Sequence, residues 1–297
     1  MGADASTAVV TDTTAYLPEE LATELGIHQV SLYVTLDGDQ RPESQISGEQ
    51  YDDFYERLRR SDSGATTSQP SVGDFTSVYE PLLAEGRDVV SIHISAGISG
   101  TYDAANQARQ ELIDSGKGGD RITVWDSRSA CGGQGLMALT AARASARGAS
   151  GAEVMQAVER ARAALKMWFV IDTLEYLRRG GRIGSAQAWL GSALQIKPIL
   201  TLEEEITPVE RVRTRRRAFE RMVEFARERC DDGADGWVVQ HIHDPDTARR
   251  LVDECRQLFD SEPVFVSEIG PVIGAHVGPG LVGVGGIPRD LLGLESA

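Results

Sequence analysis

The sequence predicts an α/β fold of two domains. The first is an N-terminal parallel sheet with helices on both faces; the second is a C-terminal α/β domain with a mixed or antiparallel sheet. Three observations carry this. Short β-type runs alternate with helical periodicities through the first half, the signature of a covered parallel sheet. After about Lys166 the pattern changes and includes a hairpin. A length of 297 residues suits two domains. No Pro- or Ser-rich linker separates the halves, 1–165 and 166–297, so they are expected to pack closely.

The elements follow in order. Ala8 to Thr11 is a short apolar strand, and Pro18 to Leu25 a helix with proline in its first turn. Ser47 and Gln50 stand at capping-box spacing before Tyr51, Phe54, Tyr55 and Leu58, which recur on one helical face. Val89 to Ile94 reads as a strand, then a Gly/Ser turn and a helix from about Ser99 to Ser115. Ile122 to Trp125 is a strand leading through a Gly-rich turn into an Ala-rich helix ending at Arg147. Ser150 and Glu153 open a further helix over Val154, Val158 and Ala161. Beyond the boundary come a strand at Trp168 to Ile171, a short helix broken at Gly180-Gly181 and a helix near Ser185 to Leu194. Leu200 to Arg213 reads as a hairpin around Glu203-Glu204-Glu205, then a helix from Thr214 to Cys230. Strand Trp237 to Ile242, helix Thr247 to Phe259 and strand Val264 to Val266 complete the reading.

Composition narrows the function. A net charge of -15 argues against nucleic acid, whose binding requires Lys and Arg to neutralise phosphates. No run approaches the roughly 18 apolar residues of a membrane span, and Met1 to Thr7 shows no signal-peptide pattern. A soluble, cytoplasmic protein is expected. Cys131, Cys230 and Cys255, odd in number and irregular in spacing, suggest a reducing compartment. The run Arg211, Arg213, Arg215, Arg216, Arg217 and Arg221 reads on composition as a solvated helix face.

Four polar clusters are candidates for chemistry. Thr66 to Ser71 is a hydroxyl-rich stretch that by itself reads as a turn and a cap. Ser95 to Thr101 follows a strand and precedes a helix, where open parallel sheets place their ligands and helix N-termini favour anions. Asp126 to Gly135 is a second strand-to-helix loop, but it has neither the G-x-G-x-x-G spacing nor a P-loop lysine. Gly270 to Gly280 sets His276 among glycines and small apolar residues, so its imidazole is expected to face a ligand. His241, His243, Asp244 and Asp246 match no standard metal motif, and no G-x-S-x-G elbow occurs. Metal and cofactor are not expected.

Taken in order, several strings resemble the DegV family of bacterial fatty-acid-binding proteins. They are Val10 to Thr14, Thr67 to Ser71, Ile94 to Tyr102, Leu174 to Gly184, Lys197 to Leu200 and Gly270 to Gly280. Ala186 to Trp189, and Val212 to Thr214 with Arg217-Ala218, further resemble the fatty-acid-binding subunits of bacterial fatty acid kinase. The resemblance implies one long-chain fatty acid buried between the domains, its carboxylate held by Thr67, Ser95 and His276. Ala96 stands where many relatives carry a second hydroxyl, which makes Ser99 the reserve donor. It also implies no catalytic residue in this chain. A kinase partner docking on the basic run at Arg213, Arg216 and Arg217 would phosphorylate the carboxylate for phospholipid synthesis, with transient membrane contact compatible with such a role. The rival is an enzyme, a hydrolase or transferase acting on a small anion with His276 as base. It requires a nucleophile, a base and an orienting carboxylate in one place.

Overall fold

The computed structural model describes residues 7–61, 64–190 and 196–294. A four-stranded parallel sheet in the N-terminal half is built from Ile27–Val30, Thr7–Asp12, Asp88–His93 and Ile122–Asp126, in that spatial order. The period-2 rule divides its side chains. Val9, Val90 and Ile92 pack with Leu136, Leu139 and Val158 on one face. Ala8, Val10 and Val89 pack with Phe75, Tyr79 and Leu112 on the other. The α/β class with helices on both faces is thus realised.

The C-terminal half forms a six-stranded mixed sheet in the order Ile206–Val212, Lys197–Leu202, Lys166–Val170, Val282–Ile287, Gly236–His241 and Phe265–Glu268. All its pairings are antiparallel except that of the last two strands. Its outer face is covered by the helices Arg215–Asp231 and Pro245–Phe259 through Met222, Phe225, Leu251 and Val252. Its inner face turns toward the N-terminal half. There Val238, Phe265 and Ile287 join the same cluster as Leu136 and Val90. The Gln240 amide oxygen accepts from the Gly132 N–H at the start of the helix Cys131–Ala146. The halves therefore share a core.

Several elements depart from the sequence expectation. A small antiparallel sheet, Asp39–Pro42, Tyr33–Leu36 and Thr66–Ser68, was not foreseen. Its third strand is the hydroxyl-rich stretch read as a turn. Pairing to Tyr33–Leu36 extends it, and Ser71 then caps the unforeseen helix Val72–Ala84 in a box with Asp74. Residues 270–280, read as a Gly-rich loop, contain the helix Pro271–Val277. The strand Val282–Ile287 was missed because three of its six residues are glycine, a residue depleted in strands. The helix expected near Ser185 to Leu194 is a 3-10 helix over Gly184–Trp189, and residues 191–195 lie outside the described ones.

Candidate functional site

A cavity of about 310 Å³ lies between the inner face of the mixed sheet and the loops of the N-terminal half. Its body is apolar, lined by Ile94, Phe169, Leu177, Leu202, Ile206 and Leu281 among others. Its polar residues include Thr67, Gln69, Ser99, Arg182 and His276. Four segments far apart in sequence supply that set.

His276 sits in the last turn of the helix Pro271–Val277. Its Nε2 lies 2.7 Å from Thr67 Oγ1 on the small sheet. Its Nδ1 is buried against Gly180, without a hydrogen-bond partner among the described residues. A Cβ at position 180 would stand 2.3 Å from that nitrogen, so only glycine lets the turn close over the ring. Burial, aided by the nearby Arg182 charge, pushes the imidazole down to about 4, so it is neutral at pH 7. A ring with Nε2–H donates to Thr67 and leaves the threonine O–H free to donate onward; the other tautomer reverses this bond.

Arg182 bridges the two rims. Its Nη1 donates to the Gly180 carbonyl at 2.7 Å and its Nε to the Ile98 carbonyl at 3.2 Å. Ser99, half-buried in the cavity wall, accepts from the Thr101 N–H at 3.3 Å at the start of the helix Thr101–Asp114. Ser95 is placed differently. It is fully buried, and its hydroxyl donates to the Glu204 carbonyl at 2.7 Å. That bond ties the hairpin turn of the C-terminal half to the Ser95–Thr101 loop. Gly97 permits it, since a Cβ there would meet the Glu204 carbonyl oxygen at 2.2 Å. The geometry thus brings Thr67, His276 and Ser99 to one cavity, with Ser95 one layer behind.

Arg182 is the functional candidate that residue-by-residue reading passed over. It lies within the stretch Leu174 to Gly184 that resembles the family, but nothing local marks a guanidinium as facing a cavity. The loop Asp126 to Gly135, unassigned from sequence, contributes Ser129, Ala130 and Cys131 to the wall. Burial pushes the Cys131 thiol well up.

Arg213, Arg216 and Arg217 lie outside the cavity, exposed around the start of the helix Arg215–Asp231. In the structure Arg216 pairs with Glu220 at 2.9 Å, and Arg217 with Glu220 at 3.3 Å and Glu224 at 3.1 Å. These partners sit at helical spacings, where the next turns bring them close. Arg213 makes no ion pair among the described residues.

The residues weighed as metal ligands do not converge. His243 faces Asp52 at 3.0 Å, His241 lies 3.9 Å from Glu268, and no group of three ligating side chains forms among the described residues.

One arrangement has the composition of a catalytic triad. His93 Nδ1 lies 3.0 Å from Asp12, and its Nε2 lies 2.6 Å from the Ser91 hydroxyl. All three are fully buried, and Ser91 is also bonded to the Tyr79 hydroxyl at 2.7 Å. Burial alone would raise Asp12, but hydrogen bonds from His93, Thr14 and Gln134 outweigh it and hold the carboxyl below its ordinary value. Asp12 also accepts from the Ile94 N–H at 3.1 Å, next to Ser95. A nucleophile must touch its substrate, and Ser91 is sealed from the cavity. The network fixes the loop above it.

These features define a class: an α/β protein of two packed halves, closing an apolar cavity that carries a cluster of hydroxyls, an imidazole and a guanidinium. The chain belongs to the DegV family. It matches the family described as "Uncharacterised protein, DegV family" over residues 6–289. It is 40% identical to a DegV domain-containing protein of Clostridium acetobutylicum, over 93% of this chain and 95% of that one. It is 35% identical to Protein DegV of Bacillus subtilis, over 93% and 97%. Among solved structures it resembles a Thermus thermophilus DegV family protein described as fatty acid binding. That likeness has 35% identity and a TM-score of 0.84, covering 95% of this chain and 99% of the other. It also resembles DegV of Bacillus subtilis, described as a fatty acid binding protein, with 33% identity, a TM-score of 0.82, and 95% and 99% coverage.

Proposed function

We propose that this chain binds one long-chain fatty acid in the cavity and presents its carboxylate to a separate kinase, without catalysing a reaction itself. The observation that carries the reading is the apolar cavity with the Thr67–His276 pair on its wall. Each methylene transferred from water to such a lining contributes about 0.8 kcal/mol. A carboxylate could not follow it unpaired, since an isolated buried charge costs several kcal/mol or more. Thr67, Ser99 and Arg182 offer donors, and the neutral His276 orients Thr67 or donates in turn. Ser95 holds the hairpin turn against the site.

Two related structures described as fatty acid binding support the ligand class. In the proposed reaction the fatty acid carboxylate is the phosphoryl acceptor. The kinase brings the donor and makes the acyl phosphate used for phospholipid synthesis, docking near Arg213, Arg216 and Arg217. The hydrolase or transferase alternative gains nothing from the geometry. Among the described residues His276 has no orienting carboxylate, and the Ser91–His93–Asp12 set is sealed. Mass spectrometry of an organic extract of the purified protein should find a fatty acid at near-stoichiometric amount. A clean extract, together with no binding of added fatty acid, would overturn the proposal.

A further inference from the structure

The strand Val282–Ile287 alternates by face. Val282 and Val284 point outward and pack against the helices Arg215–Asp231 and Pro245–Phe259. Gly283 and Gly285 take the inner face, where a β-strand would ordinarily place side chains. Packing explains Gly285, because a Cβ there would stand 2.3 Å from the Lys166 carbonyl oxygen. It equally explains Gly286, whose Cβ would stand 2.6 Å from the Gly236 carbonyl oxygen. Gly283 is not so confined. Its φ is not positive, a Cβ would make tight contacts of 3.2 Å to the Phe169 Cβ and 3.3 Å to the Trp168 carbonyl oxygen that small shifts relieve, and the residue lines the cavity.

The register sets Gly283 between two side chains of the cavity wall, Phe169 on one neighbouring strand and Gln240 on the other. Gln240 cannot swing aside freely. Its amide nitrogen donates to Ser267 Oγ at 2.8 Å, and its oxygen accepts from the Gly132 N–H. Below this row lies Met167, two residues before Phe169, also in the cavity wall. Gly132 closes in beside it, a Cβ there standing 3.2 Å from the Met167 Cε and 2.9 Å from the Gln240 Oε1. The row Phe169–Gly283–Gln240 is therefore a slot, and Met167 with the start of the helix Cys131–Ala146 is the floor beneath it.

We propose that Gly283 determines acyl-chain specificity: the missing side chain opens the slot through which the distal part of a long chain reaches the Met167 floor. This rests on the fatty-acid reading of the cavity and adds which residue sets the length accepted. An acid whose carboxylate is held near His276 and whose methyl end stops above the slot is indifferent to position 283. A longer acid is not.

The experiment compares octadecanoate with decanoate in direct binding titrations of wild type, Gly283→Ala, Gly283→Val and Met167→Ala, all stripped of lipid first. Wild type should prefer the longer acid, by about fourfold for each further methylene buried. In G283V the ratio of the two affinities should fall at least about tenfold, two displaced methylenes at that rate sufficing. G283A should fall between, and decanoate affinity should stay within about twofold throughout. Met167→Ala deepens the floor while leaving every residue of the strand Val282–Ile287 unchanged and should raise the ratio, which keeps the test open if G283V folds poorly. Equal loss of both acids in well-folded Gly283 variants, or an unchanged ratio in G283A and Met167→Ala, overturns the proposal. Wild type binding neither acid would instead sink the fatty-acid reading beneath it.

Discussion

Thr67 and His276 are 209 residues apart in sequence and 2.7 Å apart in space. If Thr67 donates to the carboxylate, Thr67→Ala removes a hydrogen bond to a charged group, worth about 1.5–3 kcal/mol, or about a 10- to 150-fold loss of affinity. Ser95→Ala removes instead a neutral bond to the Glu204 carbonyl, so its effect should be smaller, about 2- to 12-fold. Wild-type affinity in both variants by titration would remove these residues from the site. His276 carries the pH dependence. Burial holds its imidazole at about 4, so the ligand-free ring is neutral. A carboxylate brought beside it favours the protonated form, so its pKa should rise on loading. Fatty acid affinity should then strengthen as pH falls through the loaded value toward about 4. NMR titration of the ring with and without fatty acid checks this; an unmoved pKa would make His276 a neutral donor only.

At the scale of elements, the helix Pro271–Val277 is too short to be stable alone and is held from outside. The buried Glu43 accepts from the Val272 N–H at 2.8 Å and from the Tyr16 hydroxyl at 2.7 Å. Tyr16 accepts from the Ile273 N–H, and Tyr55 donates to the Ile269 carbonyl at 2.7 Å. Burial pushes Glu43 up to about 7, against an ordinary value of 4.5. The folded state therefore binds more protons than the unfolded chain between these values. Its contribution is fully present below pH 4.5 and is lost as pH rises through about 7, by up to about 3 kcal/mol. Glu43→Gln keeps an acceptor for Val272 and cannot ionise, so it should flatten stability between pH 5 and 8 and exceed wild type at pH 8. Melting curves across that range test it, and a wild-type slope in the variant would refute it. The basic helix start makes a different prediction. Arg216 and Arg217 are already paired along their own helix, which leaves Arg213 the cleaner probe of docking. Arg213→Glu should leave fatty acid binding unchanged and slow phosphorylation by a cognate kinase, mainly through a salt-dependent association rate. Equal kinase rates at low ionic strength would return the run to a solvated face.

For the whole molecule, the ligand proposed to lie between the halves should stabilise both together. At a hundred times its dissociation constant a fatty acid adds about 2.7 kcal/mol, which raises the melting temperature of a chain this size by several degrees. One cooperative transition moving as a unit is expected, because Gln240 and Gly132 join halves that share a core. A shift confined to one of two separate transitions would contradict it.

The sequence by itself determined the α/β class, the strand–helix alternation and its capping boxes, because hydrophobic period and cap chemistry are local. It also singled out the Ser95–Thr101 loop, placed between a strand end and a helix start, and His276, set among residues too small to crowd it; Thr67 came only from the resemblance to the DegV family, its own stretch reading as a turn and a cap. The tertiary structure decided what no window of sequence holds. It stretched Thr66–Ser68 into a strand by pairing it with Tyr33–Leu36, and it sent the Ser95 hydroxyl to a hairpin turn 109 residues away. It also turned the glycine-rich 282–287 into a central strand, since two neighbours supply ladder hydrogen bonds that glycine's weak propensity cannot refuse. Arg182 became part of the cavity for the same reason: which way a long side chain faces is fixed by the surfaces that close around it, not by the residues beside it in the chain.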